Sequence, residues 1–414
     1  MSQQATTQFT RYQTLVARLM AFLQFAVILD FMIMSPLGAM IMPALDITTQ
    51  QFGLAVSAYA FSAGISGILI AGYADRFDRK RLLLFFYVGF IGGTLWCGLA
   101  DSYPMLLLAR VVTGLFGGVI GSVLMAIATD LFAPALRGRA MGMIQTSFAA
   151  SQVLGLPFGI YLANHWDWHA PFLAIAAFGV VGGVIIAWCL KPVADHLALR
   201  QERSAVSHLL HTVAEPRYLL AFLTTGLLTT GGFMLMPFST AFSVNNLGIK
   251  FIDLPTIYLA TGICTIFAAP MIGKIADKIG RLPVFVTGST ITTVMVLTYT
   301  HLGPTPLPLL ILVNVVLFVG IFSRMIPYQA LVSSVPETTK RGSFNAVNSS
   351  IQQFAGGVAS FIAGHLVSFG ADGKLQGMAN IGFVVVGATC ISVGLVWRIQ
   401  RSVQKRMQLA TAPA

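Results

Sequence analysis

Three charged side chains stand where charge is costly. Asp30 lies in the run from Leu19 to Leu45, which holds no other charged residue. Eleven residues at 1.5 Å each place it about 16 Å along a helix counted from Leu19. A carboxylate at such a depth costs about 2.5–3.5 kcal/mol on insertion scales, so it usually faces a partner or a hydrated cavity. That setting suits an acid that takes up and returns a proton or meets substrate; the plainer reading is a structural aspartate bonded to a neighbouring helix. Arg110 sits about 10 Å into a second apolar run, and Arg324 about 25 Å past Leu307 in a third. Arg110 is read as an inward-facing structural or coupling arginine, with snorkelling to the interface as the alternative. One acid against two arginines leaves the interior positive when all are charged, which favours an anionic or zwitterionic substrate.

Uncharged polar groups mark a second constellation. Asn345, Asn348 and Gln352 follow helical spacing down one side of a segment, and Gln329 follows Pro327-Tyr328 near the end of the preceding one. A buried polar stripe without water is costly, so this side is expected to line a substrate pathway; hydrogen-bonded glue between helices is the alternative. Gly155, Pro157 and Gly159 form GxPxG, where proline removes a backbone donor, and a bend is expected. Gly114, Gly117, Gly118 and Gly121 offer a face for close helix approach. The loop 164–169, NHWDWH, is read as an aromatic belt rather than a metal site. Four cysteines, each inside an apolar run, are read as packing residues. No HExxH, GxSxG or phosphate-loop pattern is present, so neither an enzyme nor a cofactor or metal is expected.

The elements that must carry these residues follow from composition. With 56% hydrophobic and 9% charged residues and a mean hydropathy of +0.80, the chain cannot cover a water-facing surface, and its solvent is the lipid bilayer. Long uninterrupted apolar runs select helices over a barrel. The expectation is an all-α membrane protein with twelve transmembrane helices near residues 19–43, 51–74, 82–101, 104–130, 138–163, 170–191, 217–243, 253–275, 282–302, 306–331, 342–369 and 377–398. With the start inside, 21 of the 25 Lys and Arg fall in inner segments and only Lys250 and Lys374 outside. Both termini are therefore expected in the cytoplasm, and the net charge of +11 is a topological signal that calls for no nucleic-acid partner. The opening MSQQATTQFTRYQ lacks the features of a cleaved signal peptide, so the first helix is expected to stay as an anchor. The organisation is 1–191 as one six-helix bundle, 192–216 as a cytoplasmic linker, and 217–414 as a second bundle with a short tail.

The bundles look like two copies of one unit. GYADRFDRKR at 72–81 is echoed by GKIADKIGR at 273–281, with Asp75 and Asp277, and Arg79 and Arg281, each 202 residues apart. Arg137-Gly138 and Arg341-Gly342 repeat at 204. Two pseudo-symmetric six-helix bundles built by a parallel repeat are a common transporter plan. Over roughly residues 15–400 the chain resembles the major facilitator superfamily. The second charged patch (Gly273, Asp277, Lys278, Gly280, Arg281) matches its loop signature; in the first, Ala71 holds the leading position and Asp78 replaces the second glycine. The GxPxG resembles the antiporter motif of the drug:proton group.

The resemblance implies a proton-coupled secondary active exporter of small amphipathic molecules, working by alternating access, as a monomer, in a bacterial inner membrane. It implies that Asp75 caps a helix start in the other half and that Arg79 pairs with an acid at the inner end of the fourth span, where Asp130 stands. With Asp277 and Arg281 as their repeat, these would form a cytoplasmic gate; Arg79 to Arg81 as plain topology anchors is the alternative. Two other functions stay open: an uncoupled facilitator or importer of a sugar, organic acid or lysolipid, and a membrane sensor or scaffold that moves no solute.

Overall fold

The computed structural model describes residues 8–71, 73–194, 197, 215–336 and 341–411. Among them are twelve long helices: α1 (Arg11–Ala44), α2 (Thr49–Ala71), α3 (Arg79–Cys97), α4 (Tyr103–Leu131), α5, α6 (Ala170–Cys189), α7 (Pro216–Asn245), α8 (Leu254–Ile279), α9 (Arg281–Thr300), α10 (Leu307–Val332), α11 (Arg341–Leu366) and α12 (Met378–Thr411). Helix α5 joins Pro134–Ala150 to Leu156–His165 through a π-helical turn, Ser151–Gly155. Among the described residues eleven helices are long and apolar enough to cross a membrane, and α11, which carries the polar stripe, is not one of them. The chain is a multi-pass membrane protein.

Local chemistry accounts for the boundaries. Thr10 and Gln13 form a capping box that starts α1 eight residues before the expected span. Pro104, Pro134, Pro171, Pro216, Pro255 and Pro308 stand in first turns, where a missing N–H is no loss. Two boundaries differ from expectation. Helix α12 continues past 398 to Thr411, with the Arg401 guanidinium 3.7 Å from the Trp397 ring centre, so the described part of the tail is helical. Beyond α11 a short hairpin pairs Ser368–Phe369 with Leu375–Gln376. Asn246 at the end of α7 pins it, donating from Nδ2 to Leu375 O (2.9 Å) and accepting from Leu375 N at Oδ1 (2.8 Å).

The repeat is visible in three dimensions. Pro36 and Pro237 stand inside α1 and α7, 201 residues apart, and α4 and α10 start 204 apart. The charged loops are nevertheless built differently. In the second, Gly280 at φ +100° joins α8 directly to α9, a backbone that glycine adopts without strain. In the first, a 3₁₀ turn at Ala74–Arg76 precedes Asp78, whose Oδ1 accepts from Arg81 N at 2.9 Å and caps α3. The residue that departs from the repeat thus does the work of an N-cap.

The two halves meet along α2 and α11, α1 and α7, and α5 and α8. Contact is close at the face opposite the termini. There a Cβ on Gly53 would lie 2.9 Å from Ser360 O, and one on Gly364 would lie 2.8 Å from Thr49 O. Thr49 Oγ1 donates to Val367 O (2.7 Å), and Asn164 Nδ2 to Phe251 O (3.5 Å). Both bonds join one half to the other at that face.

Candidate functional site

Asp30 and Arg110 are brought together. Each is 0% exposed, and Arg110 Nη1 donates to Asp30 Oδ2 at 2.9 Å. Thr94 of α3 donates to Asp30 Oδ1 at 3.0 Å. Tyr59 of α2 covers the guanidinium, with Cζ 4.6 Å from the ring centre, a cation–π contact. Four helices therefore enclose one ion pair in the first half. Its arginine is incompletely satisfied, since Nε and Nη2 have no hydrogen-bond acceptor.

Parallel packing of α1 and α5 sets the position of Asp30. Ser147 Oγ donates to Ala21 O (2.7 Å) and Ser151 Oγ to Phe25 O (3.2 Å). One turn further on, Gly155 faces Leu29, and one turn beyond that Gly159 faces Ile33. All four pairs are 126 residues apart, as two helices running the same way in fixed register require. A Cβ on Gly155 would be 2.7 Å from Leu29 Cδ1, so the glycines of GxPxG are packing surfaces for the turns that flank Asp30. The expected irregularity takes the form of the π turn, which closes with Leu156 N bonded to Ser151 O just ahead of Pro157. On its other side Val153 lies against Gly262 of α8, across the boundary between halves.

The ion pair also reaches that boundary through rings. Phe31, next to Asp30, has its ring centre 5.2 Å from Tyr59 and 5.5 Å from Phe233 of α7. Thr94, Tyr59, Phe31 and Phe233 were not signalled by the sequence. Each is an ordinary residue of an apolar run, and only the tertiary fold gives it a charged neighbour.

Charged residues at the terminus-bearing face form a second cluster. Arg79 is buried; its Nε donates to Asp130 Oδ2 at 3.1 Å and its Nη1 to Ala74 O at 3.0 Å. The expected pairing is present, and Arg79 also ties down the 3₁₀ turn. The side chain of Asp75 lies outside the described residues. The repeat is not chemically symmetric: Arg281 Nη1 donates to Ala330 O (3.0 Å) and Ser334 Oγ (3.5 Å), with a serine near the place of Asp130. Asp277 is exposed on the last turn of α8.

The structure separates Arg324 from Asp30 and Arg110. It is buried in the second half, and Nη2 donates to Ser392 of α12 at 3.4 Å. The polar stripe divides as well. Asn348 Oδ1 accepts from Thr225 Oγ1 (2.7 Å), which lies 2.8 Å from Tyr328 OH, and Tyr328 OH also lies 2.7 Å from Ala221 O. This ties α7, α10 and α11 together, as glue between helices would. Asn345 and Gln329 are exposed and Gln352 is half-buried. Among the described residues no group of three His, Cys, Asp or Glu could hold a metal ion.

Known proteins of this architecture agree with the geometry. A bacterial homologue of the human lysosomal transporter Spinster, solved in an inward-facing and unoccupied conformation, superposes with a TM-score of 0.75 at 16% identity, covering 96% of this chain and 99% of its own. The chain is 25% identical over 259 residues to the uncharacterized MFS-type transporter YceJ of Bacillus subtilis, 63% of this chain and 66% of that protein. It is 29% identical over 136 residues to multidrug resistance protein fnx1 of Schizosaccharomyces pombe, 33% of this chain and 26% of that protein. The alignments thus cover less than two thirds of these relatives' own lengths. The description Major Facilitator Superfamily matches residues 20–360. With twelve helices in two related halves, that match makes the chain a member of the major facilitator superfamily.

Proposed function

We propose that the protein is a proton-coupled exporter of small amphipathic molecules, with both termini cytoplasmic in a bacterial inner membrane. The observation that carries this reading is the fully buried Asp30–Arg110 pair, placed on a helix that also touches the other half. Protonating Asp30 would remove the anion from Arg110, whose Nε and Nη2 already lack acceptors. Breaking a buried pair on one side costs about 3–5 kcal/mol. That imbalance would be relieved by admitting water or rearranging the helices, which is how a proton can drive alternating access. Tyr59, Phe31 and Phe233 offer the contact through which the shift would reach the second half. With cytoplasmic termini, the close contact at Gly53 and Gly364 would lie on the outer side of the membrane. The names multidrug resistance protein fnx1 and multidrug resistance protein 3 among the relatives support export of varied small molecules.

The test is Asp30→Asn in proteoliposomes under a pH gradient. Substrate-driven proton flux should vanish while binding stays measurable. Unchanged proton flux would reject Asp30 as the carrier. Counterflow in the native protein that ignores the gradient would select the uncoupled facilitator, and no exchange of any solute in a mixed panel would select the sensor or scaffold.

A further inference from the structure

The two intramembrane arginines meet opposite fates. Arg110 has a carboxylate at 2.9 Å. Arg324 is 4% exposed, forms no ion pair among the described residues, and has a buried Nε without an acceptor. Its hydrogen bond to Ser392 Oγ is long at 3.4 Å. A guanidinium carries five donors, and leaving it buried without an anion is strongly unfavourable.

Helix geometry indicates what could complete it. Ser392 is 0% exposed and donates to Thr389 O at 2.7 Å, so its oxygen lone pairs remain for Arg324. Tyr328, one turn along α10, is committed to Thr225 and Ala221. Arg324 points to α12 within its own half, whereas Gln329, at another angle on α10, is exposed. So enclosed a group leaves little room for a bulky solute; of the anions that could neutralise it, a monatomic one demands the least space. At the spacings that relate the halves, Asp30 and Arg110 fall on Gly231 and Asn314, so the second half has no fixed carboxylate at the equivalent place.

We propose that Arg324, beside Ser392, binds a chloride ion inside the second half. A diffusible anion there does what Asp30 does as a fixed one in the first. The site is independent of proton coupling.

Purified full-length protein should show a thermal midpoint several degrees higher in chloride or bromide than in gluconate at equal ionic strength, with saturation. Excess ³⁵Cl line width should be present in the native protein and lost in Arg324→Gln. If that variant does not fold, Ser392→Ala serves instead: it removes the oxygen that competes with the anion for Arg324 Nη2 and should raise halide affinity several-fold. Asp30→Asn should keep the full chloride response, so failure of the coupling reading and failure of this one are told apart. Equal midpoints in chloride and gluconate overturn the proposal, as does an undiminished halide response in the Arg324 variant or a weakened one in the Ser392 variant. Equal stabilisation by butyrate also overturns it, in favour of a substrate carboxylate.

Discussion

Asn348 was a candidate for the substrate pathway, and its hydrogen bond from Thr225 recasts it as a structural tie between α7 and α11. Hydrogen bonds between membrane helices contribute about 0.6–2 kcal/mol. Thr225→Val should therefore lower the thermal midpoint by a few degrees while leaving substrate affinity intact; a large affinity change at unchanged stability would restore the pathway reading. Asp30 and Arg110 were legible one at a time, because a charge in an apolar run stands out. Their pairing was not, because they stand 80 residues apart and the chain between must fold before the two can meet. Thr94 and Tyr59 were invisible for the same reason: a hydroxyl or a ring in a membrane helix has no signature until a charge is placed beside it.

Helices were more legible than their joints. Apolar length located all twelve, including α11 at 342–369 despite its polar stripe. An irregularity at GxPxG was expected but its π form was not, and the hairpin was missed, since both depend on what packs against them: Val153 on Gly262, and Leu375 on Asn246. The spelling of the first charged loop also misleads without the fold, because Asp78 reads as a lost glycine and turns out to cap α3. At this scale the glycine contact between α2 and α11 decides whether the face opposite the termini can close. Gly53→Leu puts a side chain where a Cβ alone would lie 2.9 Å from Ser360 O. Spin labels at positions 46 and 250, on the loops after α1 and α7, should move apart in that variant, and an unchanged distance distribution would show that the seal tolerates the bulk.

For the molecule as a whole, the distribution of Lys and Arg makes a claim that geometry cannot. On the proposed reading, the bias that keeps cationic loops on the cytoplasmic side would put both termini in the cytoplasm. A fluorescent protein fused after Thr411 should fold and fluoresce in the cytoplasm, and alkaline phosphatase inserted after Lys250 should be active outside. The reverse result would invert the membrane and put the Gly53–Gly364 contact on the cytoplasmic side. Pseudo-symmetry is strong in backbone, with Pro36 answering Pro237, and weak in chemistry, with Asp130 answered near Ser334.

That inequality between halves sets a limit in energy. Among the described residues Asp30 is the one acidic side chain deep within the helices, and its counterpart is Gly231, so the proposed exchange has a single deep site there at which to carry a proton. One charge moving down 100 mV releases about 2.3 kcal/mol, and a tenfold concentration ratio absorbs about 1.4 kcal/mol. A membrane energised to about 150 mV could then hold a neutral solute at a ratio of roughly 300 across the bilayer. Measured ratios well above that ceiling would require a second proton-carrying group.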